Sequence, residues 1–231
     1  MIYQAVILAA GMGTRLGKFP WPKPLTPLAD GRTIMQQQME NLRQAFGDEL
    51  RVLTVVGFKL ESILEAFPDV SYAYNESFDQ TNTNRSLLKA LRQSGEGGVL
   101  WLNGDVVFDP QVLERAKPLI ESDQSFVCVN TAAVAEEEVK YTVDADGFIE
   151  ALSKQVSPAL GEAVGINYVS RTDKAALIRG LEQCQDSDYF ERGIEIAIER
   201  EALRVLPLDI TELFVVEIDF AEDLTRANEH L

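Results

Sequence analysis

The chain has 231 residues, 46% of them apolar and 25% charged, and a formal net charge of −16. That length fits one large domain or a domain with a small insertion, and the acidic excess argues against general nucleic-acid binding, which needs a broad basic surface. Apolar runs such as Ala5–Ala10 and Val52–Val56 are too short to span a bilayer, the opening Met1-Ile2-Tyr3-Gln4 lacks the features of a signal peptide, and Cys128 and Cys184 read as reduced thiols of a cytosolic protein.

Taken in chain order, Tyr3–Leu8 is a short apolar run ending in Ala-Ala-Gly, the pattern of a buried parallel strand running into a loop. Thr33–Phe46 carries apolar residues at helical spacing, Arg51–Val56 reads as a second strand, Leu60–Phe67 as a helix stopped by Pro68, and Val70–Tyr74 as a third strand. Ser86–Gln93 reads as a helix and Gly98–Leu102 as a fourth strand that ends in Asn103-Gly104-Asp105. This alternation implies an α/β fold: a Rossmann-like doubly wound sheet, mostly parallel. After residue 105 the pattern turns β-rich. Gln124–Asn130, Tyr141–Val143 and Phe148–Ala151 read as strands, with Asp144-Ala-Asp-Gly147 a hairpin turn, and Ala163–Val169 as another strand. Lys174–Cys184 and Tyr189–Arg200 follow as helices, Leu203–Pro207 and Phe214–Ile218 as late strands, and Ala221–Asn228 as a final helix. The expected organisation is one domain, 1–231, with a nucleotide-binding half (1–105) and an acceptor-binding half (106–231) that holds a small β-rich insertion.

Charge is distributed unevenly. The first 29 residues hold Arg15, Lys18 and Lys23 and no acidic residue, so a cationic pocket is kept in an acidic body. Gly11 and Gly13 follow a strand end and leave backbone N–H groups unobstructed, which makes an anion nest. Arg15 can clamp phosphate oxygens in bidentate fashion, and Lys23 can act as a point charge on a second phosphate. The glycine spacing is neither a Walker A loop nor the dinucleotide fingerprint. Asp105 stands at the carboxyl end of a predicted strand, where open α/β sheets hold their ligands. Asp219 has the same setting after Phe214–Ile218, with Glu217 expected on the opposite face by strand alternation. The sole histidine is His230, so a metal site must rest on carboxylates, which favours Mg²⁺ or Mn²⁺. Glu222 and Asp223 are expected in the first turn of the last helix.

Leu8-Ala9-Ala10-Gly11-Met12-Gly13-Thr14-Arg15-Leu16-Gly17 with Pro22-Lys23-Pro24-Leu25 resembles the signature of the nucleotidyltransferases that make nucleotide-diphosphate sugars and related activated alcohols. Asn103-Gly104-Asp105 and Glu217-Ile218-Asp219 resemble that family's two metal-binding motifs, in the same order. Within the family the chain is most similar to bacterial phosphocholine cytidylyltransferases. The similarity lies in Thr81-Asn82-Thr83-Asn84-Arg85-Ser86-Leu87, Leu152-Ser153-Lys154, Gly161-Glu162-Ala163-Val164-Gly165-Ile166 and Tyr189-Phe190-Glu191. Thr83 stands where the subgroup has a second Asn, and no Trp precedes Ser153-Lys154.

The resemblance implies a cytidylyltransferase that moves CMP from CTP to a small phosphorylated alcohol or phosphonate, such as phosphocholine or aminoethylphosphonate, with release of pyrophosphate. Leu8, Ala9, Ala10, Gly11, Gly13, Thr14, Arg15 and Gly104 would line the nucleotide, Asn82 and Ser86 would help read the base, and Lys23 would neutralise charge between the α-phosphate and the acceptor. Asp105 and Asp219 would hold Mg²⁺, and Lys154, Glu162, Tyr189 and Glu191 would bind the acceptor. The competing expectations are a hexose-1-phosphate nucleotidyltransferase using UTP or dTTP and a catalytically silent nucleotide-binding regulator.

Overall fold

Strand alternation decides how this chain is layered. In the first strand, β1 (Gln4–Ala9), Ala5, Ile7 and Ala9 face one side of the sheet and Val6 and Leu8 the other, and every one of them is buried. Both faces must therefore be covered. The computed structural model, which describes residues 3–13, 21–132, 134 and 138–231, shows helices doing so on each side.

On one face lie α1 (Ile34–Phe46), α2 (Leu60–Ala66) and α4 (Gln111–Glu121), which bring Met35, Met39, Leu42, Ile63, Leu113 and Ala116 against Ile7, Leu100, Leu102 and Phe126. On the other lie α3 (Thr83–Gln93), α5 (Lys174–Glu182) and α6 (Phe190–Glu201), whose Leu87, Leu91, Leu181 and Ile194 pack on Val6, Val55, Trp101 and Val129. The Thr33 hydroxyl accepts the Gln36 N–H, and the Gln36 side chain accepts the Thr33 N–H. This reciprocal pair starts α1.

The sheet is built from β2 (Arg51–Val56), β3 (Ser71–Tyr74), β4 (Val99–Asn103), β6 (Phe126–Asn130), β9 (Gly161–Val169) and β10 (Leu206–Asp209) around β1, in the order β10-β6-β9-β4-β1-β2-β3. Strands β4, β1, β2 and β3 are mutually parallel, and β9 runs antiparallel between β4 and β6. A hairpin, β7 (Lys140–Val143) and β8 (Ile149–Ser153), hangs from the start of β9. A separate two-stranded ribbon pairs β5 (Val106–Phe108) with β11 (Val215–Glu217), and α7 (Ala221–His230) follows it. The expected Rossmann-like, mostly parallel sheet with a β-rich addition is the fold observed.

Several elements depart from the sequence reading. Neither β5 nor α4 was expected. Pro118 sits inside α4, where a proline ordinarily signals a helix end. α3 begins three residues before Ser86, because the Asn82 side chain accepts the Thr83 N–H and caps the helix there. The strand expected at Leu203–Pro207 is displaced to Leu206–Asp209, which pairs with β6. Among the described residues no helix is long and apolar enough to cross a membrane.

Candidate active site

Chain order within the sheet creates the site. β1 is followed by β2 and β3 on one side, whereas β4 returns to the other side of β1, so the strand order reverses between β1 and β4. In open α/β sheets the crevice outside the carboxyl ends at such a reversal is where ligands sit. A cavity of about 460 Å³ lies there, lined by Leu8, Ala9, Gly11 and Gly13 after β1 and by Asn103, Gly104 and Asp105 after β4.

Two glycines permit this construction. The Gly104 N–H donates to Leu8 O at 2.9 Å, and a Cβ there would lie 2.6 Å from that oxygen, so only glycine lets the β4 loop close onto β1. Gly13 has φ +59, and a Cβ on it would meet Lys23 Cβ at 3.0 Å. Lys23 opens a single 3₁₀ turn, Lys23–Leu25, and passes its side chain beneath Gly13 into the cavity.

There the Lys23 Nζ donates to Asp105 Oδ2 at 2.7 Å and to Asp219 Oδ1 at 2.5 Å. Burial alone would depress the lysine pKa, but Asp105 and then Asp219 outweigh it, so the ammonium stays charged and its pKa rises. The two aspartates predicted as metal ligands are thus brought together across 114 positions of sequence and share one cation. Ile218 N–H donates to Asp105 O at 3.0 Å, which ties the two segments together. Asp223 accepts from the backbone N–H groups of Asp219 and Phe220 at the start of α7, in the first-turn position expected of it.

Glu217 does not lie on the opposite face. It is two residues from Asp219, so both side chains line the same cavity, and its Oε1 accepts from Asn103 Nδ2 at 3.1 Å. Burial, followed by the charges of Asp105, Glu138 and Asp219, pushes the Glu217 carboxyl well above the usual range against the pull of Asn103. Gly165, at φ +70, passes so close that a Cβ would lie 2.6 Å from Glu217 Oε1.

The loop carrying Asp105 is also fixed from behind by a row of buried amides that the sequence reading did not single out. Gln38 Nε2 donates to Asn103 O and Val106 O, both at 2.8 Å. Gln37 and Asn41 donate to Phe108 O at 2.6 and 2.9 Å. Their signal was three amides on the apolar face of a helix, a position that polar residues hold only with partners.

The other expected residues divide into three groups. Tyr189, Glu191 and Lys154 line the cavity, with Lys154 Nζ 4.7 Å over the Tyr189 ring. Asn82 also lines it, but its Oδ1 caps α3 and its Nδ2 donates to Ser187 O at 3.2 Å, so its polar atoms clasp α3 to the segment before α6. Ser86, Ala10 and Glu162 lie off the cavity. Ser86 is buried under Asn75, whose Nδ2 donates to its hydroxyl at 3.1 Å, and the Ala10 carbonyl accepts Phe58 N–H. Glu162, opposite Lys140 in the β7–β9 pairing, lines an adjoining cavity of about 370 Å³ behind Glu217 and Asp219. Thr14 and Arg15 fall outside the described residues.

A hard cation fits what is present. Asp105 Oδ1 is buried without a hydrogen-bond partner, and the available donors are carboxylate oxygens. No cluster of three or more metal-binding side chains occurs among the described residues. A further cavity, of about 500 Å³, opens at the opposite end of the sheet beside Tyr3 and Tyr168. Those hydroxyls are bonded to Glu121 and Asp123.

The doubly wound sheet thus carries, at its strand-order reversal, a glycine-lined crevice and a lysine-bridged aspartate pair. Residues 5–189 match the MobA-like NTP transferase domain, and the chain belongs to that family. It is 41% identical over 120 residues to the CMP-5'-(3-aminopropyl)phosphonate synthase of Streptomyces rubellomurinus and 35% identical over 115 residues to the bifunctional protein GlmU of Methanococcus vannielii. Each match covers 48% of this chain but only 18% and 26% of those relatives. Among solved structures, the inositol-1-phosphate CTP transferase of T. maritima superposes with a TM-score of 0.78 at 17% identity, covering 100% of this chain and 98% of that one. The CTP:phosphocholine cytidylyltransferase of Streptococcus pneumoniae gives 0.76 at 16%, covering 100% and 99%, and a UDP-glucose pyrophosphorylase gives 0.76 at 14%, covering 100% and 98%. These three likenesses concern the fold.

Proposed function

We propose that the chain transfers CMP from CTP to a small phosphorylated alcohol or phosphonate and releases pyrophosphate. The observation that carries this reading is the Lys23 ammonium held between Asp105 and Asp219 on a glycine-lined cavity. An acceptor oxygen attacks the α-phosphorus in line. The new P–O bond forms as the bond from the α-phosphorus to the bridging oxygen breaks, and that electron pair leaves with pyrophosphate. A phosphate or phosphonate oxygen is already anionic near neutral pH, so no general base is needed. Catalysis then consists of positioning and charge neutralisation.

The N–H groups around Gly11 and Gly13 cradle the triphosphate. Lys23 turns from the aspartates toward the α-phosphate and the incoming oxygen. Asp105 and Asp219 are the residues that would hold Mg²⁺, which supplies charge neutralisation to the phosphates. Tyr189, Glu191 and Lys154 form the wall toward the acceptor. The cytidine preference rests on the partial similarity to a CMP-phosphonate synthase and on the sequence resemblance to phosphocholine cytidylyltransferases.

A second reading, UTP- or dTTP-dependent transfer to a hexose-1-phosphate, is favoured by the fold likeness to UDP-glucose pyrophosphorylase. A pyrophosphate-release screen separates the two. CTP, UTP, dTTP and GTP are each paired with phosphocholine, aminoethylphosphonate, inositol phosphate and glucose-1-phosphate, with and without a chelator. The expected result is release with CTP and a phosphonate or phosphorylated alcohol, abolished by chelation. No release with CTP and any acceptor overturns the cytidylyl reading. Nucleotide binding without any release points to a silent regulator.

A further inference from the structure

Glu191 presents a buried carboxyl oxygen with no hydrogen-bond donor at the wall of the catalytic cavity. Its Oε2 is closed to solvent and has no partner among the described residues, and the whole residue is 8% exposed. The backbone holds it there. Phe190 N–H donates to Thr83 Oγ1 at 3.1 Å, which pins the start of α6. α6 also packs against α5 so closely that a Cβ on Gly193 would lie 2.5 Å from Leu181 Cδ2.

The charged groups that face Glu191 are Lys154, Glu138 and Glu195. Lys154 makes no hydrogen bond to it and instead caps the Tyr189 ring. Burial pushes the Glu191 pKa up to about 7, against the pull of its own backbone N–H and of Lys154. A cation that also brings N–H groups would satisfy the charge and the open acceptor together.

A quaternary ammonium group brings no N–H and depends on aromatic faces. This cavity offers few. Phe190 is buried edge-on to Trp101 at 5.6 Å, Phe78 packs on Phe58 at 6.4 Å, and Lys154 Nζ already occupies one face of the Tyr189 ring. We infer that the acceptor carries a primary ammonium group remote from its phosphorus, and that Glu191 accepts a hydrogen bond from that group. This deepens the proposed function and rests on it for the other end of the acceptor.

The test is calorimetric binding of three phosphonates to the enzyme without nucleotide: 2-aminoethylphosphonate, its N,N,N-trimethyl analogue, and n-propylphosphonate as the isostere in which a methyl replaces the ammonium group. The expected result is at least about tenfold tighter binding of the primary amine than of either analogue, with the preference collapsing to within about threefold in Glu191→Gln. Equal or tighter binding of the trimethyl or propyl compound, binding of none of the three, or an unchanged preference in Glu191→Gln overturns the inference. Because binding is read without turnover, the result is independent of which nucleotide the enzyme consumes.

Discussion

At the scale of single residues, Lys23 is the group on which the proposed chemistry turns. Its ammonium is shared by two carboxylates and screens their mutual repulsion. In the proposed transfer the same charge acts on the phosphates, so Lys23→Ala should lower kcat by about 10² or more, the scale for losing one preorganised charge at a transition state. Steady-state pyrophosphate release measures this, and a variant within about threefold of the parent would remove Lys23 from the mechanism. Lys23 was legible in the sequence from its acid-free surroundings and its Pro-flanked motif. Its bridging contact was not, because Asp105 and Asp219 reach it only through tertiary folding. The misplacement of Glu217 has a simple cause: residues two apart share a strand face, and β11 ends at Glu217 without turning Asp219 away.

At the scale of elements, α1 is more than a cover for the sheet. Gln38 replaces the ladder partners that Asn103 O and Val106 O would otherwise lack where β4 gives way to the β5 ribbon. Gln38→Leu should therefore cost about 1–3 kcal/mol in denaturant unfolding, because two buried carbonyls lose their donor. It should also reduce kcat by letting the Asp105 loop shift. Unchanged stability in this variant would show that the amide row is dispensable. Strands with unbroken apolar runs, β1 and β2 above all, were readable from the sequence. α4 was missed although Val112, Leu113, Ala116 and Ile120 recur at helical spacing, since Pro118 reads as a break. The start of α3 was obscured by a polar run that turned out to be its cap. Neither the antiparallel placement of β9 nor the β5–β11 ribbon leaves a local signal, because both depend on pairing between residues far apart in the chain.

At the scale of the whole molecule, the acidic balance and the buried carboxyls act together. Glu191 titrates near 7 in the folded protein against an ordinary value of 4.5, so between those values the folded state holds a proton that the unfolded chain has released. Its contribution to stability is complete below about pH 4.5 and is lost as pH rises through about 7. The formal charge of −16 adds self-repulsion of the same sign. Chemical denaturation of the ligand-free protein should therefore show greater stability at pH 5.5 than at pH 7.5, with added salt narrowing the gap. Equal or greater stability at pH 7.5 would contradict this balance.

The described lining of the crevice at the strand-order reversal sets Lys23 and Lys154 among the carboxyls of Asp79, Asp105, Glu138, Glu191, Glu217 and Asp219, so the cationic pocket expected from the first 29 residues is not what these residues form, and the proposed nucleotidyl transfer rests instead on Lys23 held between Asp105 and Asp219. Phosphorus-31 NMR of the enzyme with Mg²⁺, aminoethylphosphonate and an equimolar mixture of CTP and UTP tests that claim most directly. The expected products are pyrophosphate and a CMP–phosphonate anhydride in equal amounts, with UTP left intact. Consumption of UTP in preference to CTP, or pyrophosphate without a phosphonate product, would contradict it.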